Sequence, residues 1–180
     1  MRPLNVPLTH TELELHTADA HGADATIYTY VARSAGQDRN GSITDPDGWD
    51  FTNYLRNPLL FANHDHRMPI GRAHRVWMQD QLMWAQVSFA DTAQAHTVKT
   101  LVDQDLLRAI SIGWHSFRSS LIRDKDGWPT GVHSHQQELV ELSIVAIPAD
   151  TEALRVAALA TPALDTDAIE IIAAMKAAQI

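Results

Sequence analysis

Through most of the middle of the chain, apolar and polar positions alternate with a period of two, the pattern of strands that bury one face. "ATIYTYVARS", residues 25–34, alternates and is rich in β-branched and aromatic types, so it predicts a strand. "GQDRNGSITDPDG" follows as a run of turn formers. "WDFTNYLRNP" suits a short helix that must end near Asn57, because Pro58 disfavours helical backbone in the residue before it. "PLLFANHDH" is an apolar strand running into a polar end. "HRVWMQDQLMWAQVSFA" alternates on both sides of a polar break, which predicts a hairpin with Met83, Ala85, Val87 and Phe89 on one face.

The period changes in "TAQAHTVKTLVDQDLL", where Ala95, Val98, Leu101 and Val102 follow helical spacing with Asp91 as the expected N-cap. "RAISIGWHSFRSSLI" and "SHQQELVELSIVAIP" return to strand patterning across the turn "RDKDGWPTG". Beyond Pro148 the composition becomes Ala-rich, with Asp150 and Asp167 placed to cap two helices. The elements together predict an α+β, mainly β domain: a mostly antiparallel sheet with one or two helices packed on it.

Composition narrows the function. At 180 residues and 45% hydrophobic content the chain suits one domain with a real core. Its 22 acidic against 14 basic residues give a net charge of -8, which argues against nucleic acid or an anionic membrane surface as partner. The absence of cysteine excludes disulfides, thiol nucleophiles and thiolate metal sites. No run approaches the roughly 18 apolar residues of a membrane helix, and the first residues lack the apolar core of a signal peptide, so a cytoplasmic protein is expected.

Three residue types then stand out against their surroundings. Ser111, in "LLRAISIGWHS", lies between two isoleucines, where a serine ordinarily bonds neighbouring backbone. Glu141, in "ELVELSIVAIP", shares a period-2 face with Leu139, Ser143, Val145 and Ile147; a carboxylate there needs an edge position or an ion pair, for which Arg108 or Arg155 is available. In "FANHDHRMPIG" an apolar strand ends in His64, Asp65 and His66, and a further pair, His133 and His135, leaves a histidine metal site open. A hydroxyl, an imidazole and a carboxylate also suffice for acyl transfer. The order His64, Ser111, Glu141 and the lack of a G-x-S-x-G elbow would set such a triad apart from the chymotrypsin, subtilisin and α/β-hydrolase folds.

"NPLLFANHDHRMPIGRA", "LLRAISIGW" and "ELVELSIVAIPADTEAL" resemble the three signature blocks of the tailed-phage prohead (capsid maturation) proteases of the HK97 type, across roughly residues 25 to 155. The resemblance implies a serine endopeptidase with an antiparallel β-barrel and peripheral helices, similar to the herpesvirus assemblins. It implies that His64 is the general base, Ser111 the nucleophile and Glu141 the third member, with Gly113 leaving room for substrate backbone or contributing to the oxyanion site. No cofactor or metal is expected. Scaffold and major capsid proteins would be the substrates, the chain itself among its targets, inside the assembling procapsid in the host cytoplasm; homo-oligomerisation is left open. Trp114 replaces the family's usual Phe, and His66 adds a second imidazole beside His64. The expected organisation is an N-terminal arm (1–24), the protease domain (25–155) and an Ala-rich helical tail (156–180). A fold retained as a non-enzymatic assembly protein, or a histidine-based metal hydrolase, are the alternatives.

Overall fold

A long strand, β8 (Pro129–Val145), organises the whole sheet. The computed structural model describes residues 26–156, and within them β8 pairs along one edge, antiparallel, with β7 (Ala109–Arg123). Along its other edge three short segments follow one another, all parallel to it: β2 (Ser42–Thr44), β3 (Trp49–Asp50) and β4 (Leu59–Ala62). A 3-10 turn at Pro46–Gly48 and helix α1 (Thr52–Arg56) connect them. From β4 the sheet continues antiparallel through β5 (Asp65–Gln79), β6 (Leu82–Phe89) and β1 (Tyr28–Arg33) to β9 (Arg155–Val156).

The two ends of this path meet. Val31 N–H donates to Leu154 O (3.0 Å), Ile110 N–H to Ala153 O (3.0 Å) and Arg155 N–H to Arg108 O (2.7 Å), so the 153–155 segment bridges β1 and β7. The sheet is therefore curled into a barrel with helix α2 (Ala93–Asp103) packed against β5 and β6. Most pairings are antiparallel, as the alternation predicted; the parallel edge of β8 was not predicted, because "GQDRNGSITDPDG" reads only as turn.

Met83, Ala85 and Val87 are fully buried in the barrel core with Tyr30, Leu60, Ile70, Leu142 and Ile144. Each large side chain removed from water contributes about 1.5–3 kcal/mol. Trp84, on the opposite face of β6, stacks on Trp77 in a smaller cluster with Val31 and Leu82. The short helix ends at Asn57 as Pro58 requires. Helix α2 is capped by Thr92, whose hydroxyl accepts from Ala95 N–H (3.3 Å), and not by Asp91, which instead pairs with His96 at the surface. Asp150 does not start a helix either. Its carboxylate accepts the Glu152 N–H (3.0 Å) in a turn, after which the chain enters β9. The expected N-terminal arm and the remainder of the Ala-rich tail lie outside the described residues.

A bulge in β8 decides which face Glu141 occupies. Gly113 pairs with Glu141, but the next residue, Trp114, pairs with Leu139, so Val140 is the extra residue of the longer strand. Leu139 then joins the core while Glu141 turns to the other face with Ser143. Strict alternation would have put Leu139 and Glu141 on the same side.

Candidate active site

His64 sits in a two-residue hairpin turn between β4 and β5. Asn63 (φ 51°) and His64 (φ 59°) are both left-handed, the backbone of a tight turn that favours Asn first and Gly second. A histidine in the second place carries strain of about 1–2 kcal/mol, and such strain clusters where a side chain must be aimed. Two bonds to β8 hold the turn: Asn63 N–H donates to Ile144 O (2.9 Å) and His64 N–H to Ser143 Oγ (3.1 Å).

That turn directs the imidazole at Glu141. His64 Nδ1–H donates to Glu141 Oε1 at 2.5 Å, and Ser143 Oγ–H donates to Glu141 Oε2 at 2.7 Å. The carboxylate side chain is only 4% exposed, against 45% for the imidazole. Burying a carboxylate costs several kcal/mol of hydration unless hydrogen bonds replace it, and both of its oxygens have them here. Tyr54 lies within electrostatic reach: its phenol is pushed far above the usual range, first by burial and then by the Glu141 charge. With Nδ1–H committed to Glu141, the neutral ring carries its lone pair on Nε2, the nitrogen a general base uses.

Ser111 is next to this pair on the neighbouring strand. It lies directly opposite Ser143 in the β7–β8 ladder, so its side chain is on the face that carries Glu141, and it is 3% exposed. No hydrogen bond joins Ser111 to His64 among the described residues; catalytic bonds of this type commonly tighten only when substrate is present. Gly113 also makes room for the carboxylate. A Cβ built there would lie 2.7 Å from Glu141 Oε1 and 2.8 Å from Glu141 Cγ. The room left by the missing side chain is taken by the carboxylate that holds His64.

A cleft of about 230 Å³ opens beside Ser111, lined also by Ala32, Arg33, Ser42, Trp114 and Asp150. His64 and Glu141 are not part of its wall. The cleft is walled by a buried ion network: Arg33 donates to Asp38 Oδ2 (2.9 Å), Thr44 Oγ1 (3.2 Å) and Ser42 O (2.8 Å), and it approaches Asp150 at 3.9 Å. Asp38 Oδ1 in turn accepts the Asn40 and Ser42 backbone N–H groups. These bonds fix the 38–44 segment against β1.

The other histidines and charges go elsewhere. His66 is exposed and packs against Phe61, with ring centroids 5.2 Å apart. Asp65, which directly follows His64, accepts from Arg67, whose guanidinium holds its carboxyl down at about 2. Arg108 and Arg155 both reach Asp105, so neither neutralises Glu141. His133 and His135 meet at Asp45, six residues and more from Glu141 along β8. Nothing in the sequence singles out Ser143 beyond its spacing of two from Glu141, although it bonds both the carboxylate and the His64 backbone.

The chain is similar to known proteins. A family model described as "Caudovirus prohead serine protease" matches residues 13–170. The chain is 23% identical over 148 residues to the prohead protease of Escherichia phage T5, covering 79% of this chain and 68% of that protein. Among solved structures it is similar to the KSHV protease in complex with a hexapeptide phosphonate inhibitor, with a TM-score of 0.46 and 14% identity over 73% of this chain. The chain spans 64% of the length of that herpesvirus protease.

Proposed function

The chain belongs to the caudovirus prohead serine protease family, and from that premise we propose that it is a capsid-maturation endopeptidase in which Ser111, His64 and Glu141 form the catalytic triad. Ser111 Oγ attacks the scissile carbonyl carbon while His64 Nε2 takes the hydroxyl proton. The tetrahedral intermediate collapses, the C–N bond breaks, and His64 returns the proton to the leaving amine. A water then attacks the Ser111 ester, giving its proton to His64, and the serine regains its hydrogen as the carboxylate product leaves. Glu141 holds the ring tautomer through Nδ1–H and stabilises the imidazolium formed in each half-reaction. Gly113 admits Glu141 to its place, and Ser143 keeps the carboxylate and the His64 turn in register.

The observation that carries this reading is the 2.5 Å bond from a half-exposed imidazole to a buried carboxylate, with a buried serine on the same face of the neighbouring strand, two residues from the carboxylate's cross-strand partner. The substrates proposed are the scaffold and major capsid precursors of the assembling procapsid, and the chain itself. The histidine-based metal hydrolase has no comparable support, since His64 is committed to Glu141 and His66 to Phe61.

The test is incubation of the purified chain with its cognate precursor, with fragments identified by mass spectrometry. Ser111→Ala should abolish cleavage while far-UV circular dichroism and melting temperature stay near those of the parent. Cleavage by the variant at a comparable rate would remove Ser111 as nucleophile.

A further inference from the structure

A second histidine–carboxylate cluster lies at the far end of β8. Thr44 pairs with Ser134 in the parallel β2–β8 ladder, and Asp45 N–H donates to Ser134 O (2.8 Å), which seats Asp45 against the strand between His133 and His135. His133 Nε2 is 2.6 Å from Asp45 Oδ1, and His135 Nδ1 is 2.8 Å from Asp45 Oδ2. The two rings are 4.5 Å apart between centroids.

The position of Asp45 makes this orientation informative. It occupies the N-cap of the Pro46–Gly48 turn, yet its side chain makes no capping bond. An aspartate at an N-cap ordinarily accepts a backbone N–H from the turn it precedes. This one turns both oxygens away, to the two imidazoles. The supporting groups are in place as well: Ser120 Oγ is 3.0 Å from His135 Nε2, and Gln137 Nε2 donates to Asp45 O (2.7 Å). A hydroxyl on the outer nitrogen of a histidine fixes the ring and the nitrogen it presents inward, as is common around metal ligands.

We propose that Asp45, His133 and His135 form a binding site for a divalent transition-metal ion of the zinc class, separate from the catalytic centre, that pins one wall of the cleft beside Ser111 to β8. The donor atoms lie within 4.8 Å of one another. Tetrahedral zinc with bonds of 2.0–2.1 Å sets its ligands about 3.3 Å apart, so the ion enters with a small outward movement of side chains that are between 29% and 41% exposed. Two imidazoles and one carboxylate suit zinc, cobalt or nickel and not the oxygen-seeking calcium or magnesium. Water completes the coordination on the open side. Asp45 directly follows β2, and the segment before it contributes Asp38, Asn40 and Ser42 to the cleft beside Ser111. Holding Asp45 on β8 therefore holds that wall. Glu141 is six residues beyond His135, about 20 Å along an extended strand, so the ion takes no part in the acyl transfer.

The test uses the full chain, stripped with chelator and titrated with zinc chloride by calorimetry, with cobalt absorption as a second report. One equivalent should bind, and the melting temperature should rise with it. Asp45→Asn, His133→Ala and His135→Ala should each weaken binding by at least about tenfold and lose the rise in melting temperature, while His66→Ala keeps both. Equal zinc affinity in parent and all three variants would overturn the proposal and move the ion to other histidines. Because a variant can misfold, imidazole nitrogen spectra of the unaltered chain provide an independent reading: one equivalent of zinc should shift the His133 and His135 ring resonances. Unshifted resonances for those two rings would also overturn it.

Discussion

Strand β8 presents a carboxylate–histidine arrangement near each end, and the two differ in the way that separates their chemistry. At one end the carboxylate is buried and the imidazole half-exposed: Glu141 is 4% and His64 45% accessible. At the other the carboxylate is the more open group, Asp45 at 41% with His133 and His135 at 34% and 29%. A buried carboxylate with every oxygen bonded is a fixed anchor that leaves the free edge of the ring to meet substrate. An open carboxylate shared between two rings offers converging lone pairs with room for an ion. The hydrogen bonds of the two clusters are similar in length; what surrounds them decides what they can do.

The largest effect expected from breaking this contrast falls on His64. His64→Ala should slow precursor cleavage by about 10⁴-fold or more, whereas His66→Ala, whose ring rests on Phe61 and not on Glu141, should stay within a few-fold of the parent. Comparable losses from both would mean that the buried carboxylate does not choose its imidazole.

Exchanging each carboxylate for its amide sharpens the comparison. Glu141→Gln keeps volume and can still orient the ring, but it cannot offset the charge that forms there, so single-turnover cleavage should fall by about 10²- to 10⁴-fold with only a modest drop in melting temperature. A purely structural role would reverse that pattern, with melting temperature lowered and the folded fraction active. Asp45→Asn should be read at the other end, in the loss of the zinc-dependent rise in melting temperature. The hydrogen bonds from His135 and then His133 hold the Asp45 carboxyl below its ordinary value. Its contribution to stability is thus present above that ordinary value and fades as pH falls through the lowered one, and acid titration of the metal-free melting temperature should show less fading in Asp45→Asn.

The smallest effect tests the packing between strands. Gly113→Ala would press a methyl group against Glu141 and displace the carboxylate, for an expected loss of roughly ten- to a hundredfold in cleavage rate. In a Glu141→Ala background the same change should cost almost nothing more. Additive losses would mean that Gly113 serves substrate directly, as the sequence alone had suggested.

Ser111, His64 and Glu141 were legible because each breaks a local pattern: a hydroxyl among isoleucines, an imidazole at the end of an apolar strand, a carboxylate among valines and leucines. The β5–β6 hairpin and the helix stop before Pro58 were legible for the same reason, since period-2 alternation and the proline ring act within a few residues. Adjacency in sequence does not choose the ring's partner. Asp65 is the nearest acid to His64 in sequence, yet it bonds Arg67 while the ring bonds a residue 77 positions away.

By itself, then, the sequence determined that β1 and β4 to β8 are strands, that Met83, Ala85 and Val87 share a buried face of β6, and which side chains are out of place in their strands, because sterics and solvent exposure at spacings of one to four residues set all of these. Only the tertiary structure decided who meets whom. The parallel edge of β8 seats β2, β3 and β4 along one strand, the Val140 bulge turns Glu141 to the face opposite Leu139, and the missing side chain of Gly113 lets the carboxylate reach His64. These are choices between distant partners that are equally good locally, and only close packing of the whole barrel distinguishes them.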